Sequence, residues 1–417
     1  MRSARSTVAS PPSATRVAAR PNGAARQLPI PTVLTAVVAL LCVVGLVMVG
    51  TASSVISISM YNSPWAIFAR EGIWMGLGVI AFGCAMQFDY HKLRRLSPYL
   101  LTITLLLLLV VLVPGLGHHA EGSSRWIGFG EARVQPSELM KLALTIFAAD
   151  FITSRLDEEA PDRRVMGPLL IVTGLGGGLI LLQPDMGTAM VVACIAMAML
   201  FISGVRLGPV FKILALIVGL ALLYAMTSSY RRERLISFLD PSAHSNGSGY
   251  QVMQSLIGLG SGHLVGAGLG AGQQQWGFLP NAHTDFIFSV IGEQLGFVGA
   301  VAVLLLLGTF VWLGIRVATR SPDRFGGLLA IGLIAWVASE TLINVGAAVG
   351  VLPVTGIPLP FISFGGSSLV ITMIGAGILI NIARQSEGLT LHRTGAKARQ
   401  SSQRSPARLH SGHGRGR

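Results

Sequence analysis

Repeated apolar segments of membrane-spanning length constrain this chain more than any other feature. A transmembrane helix needs about 20 predominantly apolar residues, because the hydrocarbon core of a bilayer is about 30 Å thick. Only 12% of the residues are charged and the mean hydropathy is +0.65, whereas soluble domains carry about 25% charged residues. The sequence therefore predicts an all-α polytopic membrane protein with about ten transmembrane helices. The predicted spans are 31–53, 67–87, 97–115, 135–153, 167–183, 187–204, 210–227, 284–314, 327–350 and 367–384.

The distribution of Lys and Arg predicts the orientation in the membrane. Of 31 such residues, 24 fall in segments that are cytoplasmic if the N-terminus is inside, and positive charge favours that side. We therefore expect cytoplasmic termini and a long outward loop, 228–283, between the seventh and eighth helices. The net charge of +13 then reflects topology and attraction to anionic lipid headgroups, and no nucleic-acid partner is expected.

Composition divides the chain into a membrane domain, 30–386, and two tails, 1–29 and 387–417. The tails are rich in Arg, Ser, Pro, Gly and Ala and are predicted to be disordered. The first apolar run is long enough to span, so no cleavable signal peptide is expected. All three cysteines lie in predicted spans, which predicts neither a disulfide nor a metal site. The sequence requires no cofactor, although a divalent cation is compatible with it.

His283, Thr284 and Asp285 lie where the long polar loop meets an apolar run. A carboxylate near hydrocarbon loses hydration and becomes a usable proton acceptor near neutral pH. Asp285 is therefore a candidate general base. The alternative is that Thr284 or Asp285 only caps the following helix.

A second polar segment contains Arg125, Trp126, Glu138 and Lys141. Glu138 and Lys141 are three residues apart, so they share one helix face. Each charge near the bilayer costs about 2.5–3.5 kcal/mol on insertion scales, which favours a pair that faces a functional cavity. An internal structural ion pair is the alternative, and Trp126 is also compatible with an ordinary interfacial aromatic residue.

Arg231 and Arg234 lie in the long loop, against the general positive-inside bias. The planar guanidinium fork suits phosphate, so these residues are candidates for contact with a lipid pyrophosphate. Interfacial anchoring explains them equally well. The glycine-rich run 258–272 lacks the strand–helix context of a nucleotide-binding fingerprint, and it predicts a flexible or tightly turned loop on the membrane surface.

Prolines and paired glycines break the helical pattern at 356–368. Broken backbone at membrane depth is tolerated where it lines a cavity or is buried in protein, so Ser363 and Ser367 are candidates for binding an anion or a sugar. A simple interfacial turn is the alternative. Asp185, at a span boundary, is either a helix cap or a functional residue.

Three further polar residues within the spans predict hydrogen bonds inside the bundle. Glu293 lies at i+8 from Asp285, which predicts roughly the same helix face, and Glu340 and Asn344 form an i,i+4 polar pair.

Six motifs in order resemble those of one family, the SEDS proteins of the FtsW/RodA/SpoVE group. The resemblance covers about 30–385, and six ordered motifs are far more specific than any one of them. The motifs are Ser-Arg-Trp-Ile at 124–127, Gln-Pro-Ser-Glu-Leu-x-Lys at 135–141, Gln-Pro-Asp-x-Gly at 183–187, Gly-Tyr-Gln at 249–251, His-Thr-Asp-Phe-Ile-Phe at 283–288 and Pro-Leu-Pro-Phe-Ile-Ser-Phe-Gly-Gly-Ser-Ser at 358–368.

This resemblance implies a ten-helix protein of the bacterial cytoplasmic membrane that polymerises lipid II into β-1,4-linked glycan. It implies that Asp285 is the essential aspartate and that Trp126, Glu138 and Lys141 act in the same cavity. The implied partners are lipid II, an undecaprenyl-pyrophosphate-linked glycan, a class B penicillin-binding protein transpeptidase, other divisome membrane proteins and membrane lipids.

Local motifs favour the division-type FtsW branch, and hence the septum, over the elongation-type RodA branch. The chain departs from the family pattern at Gln275, where a Lys is common, and at Asn281, where an acidic residue is common. A lipid II flippase is the chief alternative function, and a scaffold that recruits a transpeptidase is another. The candidates cluster at the outward face, whereas a flippase needs a polar path through the midplane.

Overall fold

The computed structural model describes residues 29–114, 118–120, 123–129, 132–155, 161–204 and 248–403, with short pieces at 208, 211–212, 219 and 226. The helices are α1 (Ile30–Tyr61), α2 (Ala66–Gln87), α3 (His91–Val111), α4 (Pro136–Arg155), α5 (Pro161–Leu182), α6 (Met186–Ile202), α7 (Ser248–Ser261), α8 (Ile287–Arg320), α9 (Arg324–Ala348) and α10 (Ser367–Gln403). Three short strands lie between α3 and α4: β1 (His118–Ala120), β2 (Ser123–Phe129) and β3 (Ala132–Val134).

The polytopic helical prediction is confirmed. Within the described ranges, seven helices are long and apolar enough to cross a membrane, and α6 is a shorter apolar helix of 17 residues. Every predicted span except one coincides with a helix, and the span at 210–227 falls almost wholly outside the described residues. The chain is therefore a multi-pass membrane protein. α10 continues to Gln403, beyond the predicted end of the membrane domain at 386.

Proline and aspartate define several helix starts. Pro136 is the first residue of α4, where the missing N–H of proline costs no helical hydrogen bond. Asp185 caps α6 by accepting a hydrogen bond from the Thr188 N–H at 3.1 Å, so the capping interpretation of this residue is confirmed. Asp323 caps α9 in the same way, accepting from the Gly326 N–H at 2.8 Å.

α9 and α10 have the largest shares of buried residues among the spans, and α2 and α3 have the smallest. Glycines allow some of the closest backbone contacts around α10 and the segment that precedes it. A Cβ on Gly377 of α10 would lie 2.8 Å from the Phe82 carbonyl oxygen of α2, and a Cβ on Gly45 of α1 would lie 2.6 Å from the Phe361 carbonyl oxygen. These positions accept only glycine, because a Cβ would have to displace a neighbouring backbone atom, which costs a large amount of free energy in a close-packed interior.

The strands add a small antiparallel sheet, in the order β1-β2-β3, to the predicted all-helical fold. Ile127 of β2 faces Val134 of β3, and β1 joins the other edge with an irregularity in its register. This hairpin lies directly before α4 and carries Arg125 and Trp126. α7 is a second element that the sequence did not predict, and it lies within the long loop.

α8 is broken at Gly296, which has a φ of 70° and a ψ of −171°. The glycine-rich loop after α7 fills the break: Phe297 N–H donates to the His263 carbonyl at 2.9 Å, and Ala267 N–H donates to the Glu293 carbonyl at 2.9 Å. A Cβ on Gly262 would lie 1.9 Å from the Gly292 carbonyl oxygen. The loop is thus tightly turned, as one interpretation predicted, but it is packed against α8.

The predicted common helix face of Asp285 and Glu293 is wrong, because α8 begins at Ile287 and Asp285 lies before it. The Glu293 carboxylate instead holds the loop, accepting hydrogen bonds from the Gln273 N–H at 2.6 Å and the Gln274 N–H at 3.2 Å. The three cysteines lie in α1, α2 and α6, as the predicted spans place them, and their thiols are free.

Candidate functional site

Asp285 lies in a tight turn that precedes α8. Asn281 has a φ of 57°, a left-handed conformation that asparagine adopts more readily than most residues. Its carbonyl oxygen accepts hydrogen bonds from the N–H groups of Thr284 and Asp285, both at 3.1 Å, and from the Thr284 hydroxyl at 3.1 Å. Asn281, which replaces the acidic residue common in the family motif, therefore stabilises the turn through its backbone conformation and its carbonyl group. Asp285 itself is half-buried.

The helix-cap interpretation of this triplet is not supported. Phe286 occupies the N-cap position of α8, and no side chain caps the helix there. Thr284 uses its hydroxyl within the turn. Asp285 is therefore held in place by backbone contacts of the turn, with its carboxylate next to the broken segment. A Cβ on Gly356 would lie 3.5 Å from Asp285 Oδ2.

The broken segment 356–366 is enclosed by the helical bundle. Phe361, with a φ of 65°, places its ring 5.4 Å from the ring of Phe310 in α8. A Cβ on Gly187 of α6 would lie 2.5 Å from Ile357 Cγ1. Ser363 is buried and its hydroxyl accepts a hydrogen bond from the Leu359 N–H at 2.7 Å. This hydroxyl satisfies one backbone N–H group of the broken segment, as buried non-helical backbone requires.

The predicted Glu138–Lys141 pair exists, with Lys141 Nζ 2.7 Å from Glu138 Oε2. The structure adds a third charge, because Lys141 also donates to Glu340 of α9. The Ser368 hydroxyl donates to Glu138 at 2.8 Å, and the Lys141 ammonium lies 5.0 Å from the centre of the Trp336 ring. The three charged side chains are almost completely buried. We call Glu138, Lys141 and Glu340 the charged triad.

Asp185 belongs to a second polar cluster beside the start of α4. Its Oδ2 atom accepts from Gln135 Nε2 at 3.1 Å and from the Ser137 hydroxyl at 3.3 Å. The Gln135 N–H donates to the hydroxyl of Ser367, the first residue of α10, at 3.2 Å. Arg125 of β2 donates to the backbone carbonyls of Gln183, at 3.1 Å, and Pro184. The hairpin, α4, α6 and α10 therefore meet at one polar junction.

Buried polar atoms without hydrogen-bond partners lie beside Asp285. They are His283 Nδ1, Asn344 Oδ1 and Thr355 Oγ1. The pKa of His283 is lowered to about 4 because burial disfavours the charged imidazolium, so its ring is neutral near pH 7. Such atoms near a candidate site indicate places where a ligand or an ordered water completes the hydrogen bonding.

The remaining predicted residues have different positions. Trp126 is half-buried in β2. Arg231 and Arg234 lie outside the described residues. Within the described part of the chain, no group of three or more His, Cys, Asp or Glu side chains is arranged to hold a metal ion.

Sequence reasoning did not assign a site role to Glu340, Asn344 or Ser368. The predicted hydrogen bonds inside the bundle are confirmed for Glu340 and Asn344, although the two side chains do not bond to each other. Glu340 binds Lys141, and Asn344 Nδ2 donates to the backbone carbonyls of Asp285 and Ile357. The available signal was a carboxyl and an amide one helical turn apart in an apolar span. That pattern reveals a buried polar face, but it cannot identify partners from distant segments.

The fold and this site define a polytopic helical membrane protein that has a half-buried aspartate next to a broken backbone segment, together with a buried charged triad. Residues 31–388 match the FtsW/RodA/SpoVE family model, described as cell cycle protein. The chain belongs to this family. It is 39% identical over 358 residues to stage V sporulation protein E of Bacillus subtilis, covering 85% of this chain and 96% of that protein.

Three further comparisons agree. The chain is 40% identical over 352 residues to the Coxiella burnetii protein named "Probable peptidoglycan glycosyltransferase FtsW", covering 83% of this chain and 94% of the relative. A chain solved in work on polymerisation and crosslinking by a peptidoglycan synthase complex superposes with a TM-score of 0.70 at 29% identity, covering 85% of this chain and 98% of that chain. Thermus thermophilus RodA superposes with a TM-score of 0.63 at 27% identity, covering 85% and 96%.

Proposed function

We propose that this chain is a peptidoglycan glycosyltransferase that polymerises lipid II into β-1,4-linked glycan at the outer face of the cytoplasmic membrane. The family membership supports this proposal, together with relatives named for that activity. Septal synthesis during cell division is the proposed role, and a RodA-like role in elongation is the alternative. Both termini are proposed to be cytoplasmic.

The observation that carries the proposal is the position of Asp285. Asp285 is half-buried and lies in a hydrogen-bonded turn, and its Oδ2 atom lies next to Gly356 of the broken segment. A carboxylate with reduced hydration, close to the headgroup region, suits a general base. Asp285 accepts the proton of the sugar 4-hydroxyl of one lipid II as that oxygen forms a bond to the anomeric carbon of the donor.

The bond from the anomeric carbon to the pyrophosphate breaks in the same step. The leaving group is undecaprenyl pyrophosphate, and displacement inverts the α-linked anomeric centre to β. Arg231 and Arg234 are proposed to stabilise the developing negative charge. The Lys141 ammonium lies between two carboxylates, which favours a role in positioning the site over direct contact with pyrophosphate. No step in this scheme requires a metal ion.

The proposed partner is a class B penicillin-binding protein transpeptidase, with other divisome membrane proteins at the septum. A solved relative from a peptidoglycan synthase complex supports this assignment. Such a partner would crosslink the glycan as it forms, which places polymerisation and crosslinking on the same side of the membrane.

Polymerisation of lipid II by the purified protein, alone and with its cognate transpeptidase, tests the proposal. The Asp285→Asn variant is expected to insert, keep its thermal stability and bind lipid II, yet make no polymer. General-base removal usually lowers the rate about 10²–10⁴-fold. Near-normal synthesis by Asp285→Asn would exclude this residue as the base and redirect the assignment to Asp185 or Glu138. A flippase makes no polymer in either form, but it moves labelled lipid II across vesicle bilayers.

A further inference from the structure

We propose that Asn344 is a positioning residue for Asp285, acting as a tether between the turn 281–286 and the broken segment 356–366. Its Nδ2 atom donates to the Asp285 carbonyl at 2.8 Å and to the Ile357 carbonyl at 2.7 Å. One side chain of α9 thus holds the backbone of both segments. This inference rests on the proposed role of Asp285 as the base.

The two hydrogen bonds also fix the orientation of the amide. Carbonyl oxygens only accept, so the atom that contacts both of them must be the NH₂ group. Oδ1 then points away, and this atom is buried without a hydrogen-bond partner. Burying this oxygen without a partner costs free energy, so packing alone does not explain an asparagine here. The two hydrogen bonds that the NH₂ group donates do explain it.

Additional contacts show why the tether matters for the carboxylate. The Phe364 N–H donates to the His283 carbonyl at 3.0 Å, which pairs the same two segments a second time. A Cβ added to Gly356 would make van der Waals contact with Asp285 Oδ2, at 3.5 Å, so the backbone of the broken segment lies directly beside the carboxylate. Because neither segment is helical at these residues, their relative position depends on such contacts more than on a regular ladder of backbone hydrogen bonds.

α9 further connects the tether to the charged triad. Glu340 precedes Asn344 by four residues, about 6 Å along a helix, and it binds Lys141. A single turn of α9 therefore fixes both the triad and the backbone of Asp285. The triad fixes α9 against α4. Because Asn344 of α9 binds the Asp285 carbonyl, the position of the base is fixed relative to the same two helices.

Asn381 of α10 provides a matched control. It is also buried, and its Nδ2 atom donates to the Met86 carbonyl at 2.8 Å, near the α2–α3 connection and away from Asp285. We compare Asn344→Ala with Asn381→Ala by hydrogen–deuterium exchange and by lipid II polymerisation. Asn344→Ala should accelerate exchange in 281–286 and 356–364, whereas Asn381→Ala should accelerate it only near 86–91.

In the kinetic arm, Asn344→Ala should lower kcat about 10–100-fold with KM within about threefold, because a small displacement of a catalytic group is costly. Unchanged exchange in both segments overturns the proposal. Loss of protection throughout the bundle, or a raised KM with kcat kept, overturns it as well. If the unaltered protein makes no polymer, the proposed function fails, while the exchange arm still decides whether Asn344 is the tether.

Discussion

Lys141 and Glu340, 199 residues apart in the chain, form a buried ion pair that places a second carboxylate against the ammonium already bound by Glu138. Two carboxylates and one ammonium leave the buried cluster with an excess of acid groups. Charges in such surroundings are tolerated only when they are paired and hydrogen-bonded. Lys141 is therefore the member whose loss leaves the most uncompensated charge.

The first prediction follows from this imbalance. Lys141→Met should destabilise the protein by about 3–5 kcal/mol, because it leaves two desolvated carboxylates without a cation. Glu340→Gln should cost much less, since Glu138 and Lys141 still neutralise each other. The measurement is thermal unfolding in detergent. Adding Glu340→Gln to Lys141→Met should recover part of the loss, and strictly additive losses would contradict a coupled triad.

A second prediction concerns the loop packed against α8. Gly262→Ala would place a Cβ 1.9 Å from the Gly292 carbonyl oxygen, so the loop must move away from the helix. Overpacking of this kind typically costs about 1–3 kcal/mol, and polymer synthesis should fall because α8 follows directly from the Asp285 turn. Thermal unfolding and lipid II polymerisation measure the two effects.

Gly260 supplies the matched control for that loop. It is exposed in α7, and no atom lies within 4 Å of a Cβ placed there. Gly260→Ala should be neutral or stabilise the helix by up to about 1 kcal/mol. Equal losses in the two variants would mean that packing on α8 is not the cause.

A third prediction concerns pH and His283, whose pKa burial lowers to about 4. Between that value and the ordinary pKa of about 6.5, the unfolded chain holds a proton that the folded chain lacks. Stability from this group is therefore complete above about pH 6.5 and is lost as the pH falls, by up to roughly 1.4 kcal/mol per unit. As the pH is lowered from 7.5 to 5, the melting temperature should fall less steeply in His283→Gln than in the unaltered protein, and parallel curves would contradict the assignment.

A fourth prediction tests the orientation. In a background without the three native cysteines, cysteine at Ser245 should react with an impermeant reagent on intact cells, and cysteine at Ser401 should not. The reason is the bias of Lys and Arg towards the inner segments. Labelling at Ser401 alone, or at both positions, would contradict the predicted orientation and with it the assignment of the site to the outer face. Labelling after permeabilisation confirms that both cysteines can react.

The sequence predicted the spans well because hydropathy is a local property. Glu138 and Lys141 were predictable for the same reason: their separation of three residues fixes their common helix face. Glu340 and Asn344 were visible as polar residues, but their partners lie in distant segments. Only the three-dimensional packing of α4, α9 and the Asp285 turn brings them together.

Turn chemistry explains the other differences. Asn281 looked like a departure from a binding pattern, yet its left-handed backbone and shared carbonyl show a conformational role. Gln275, the other departure, is buried and donates to the Gly270 carbonyl at 2.5 Å. Nothing in the sequence around Gly296 distinguishes it from the other glycines among the chain's 51. The break in α8, and the packing of the loop into that break, were therefore not predictable.

The break in α8 also decides how this helix matches the thickness of the bilayer. Uninterrupted, its 34 residues would extend about 51 Å, well beyond a hydrocarbon core of about 30 Å. The portion from Phe297 to Arg320 alone is about 36 Å long, sufficient to cross with a modest tilt. The portion before the break is then not needed to cross the hydrocarbon core, so it can carry the polar side chains of Glu293 and Gln294. A thinner membrane would thus increase the tilt of the portion from Phe297 to Arg320, and a thicker membrane would reduce it, while the turn that carries Asp285 stays in contact with the loop.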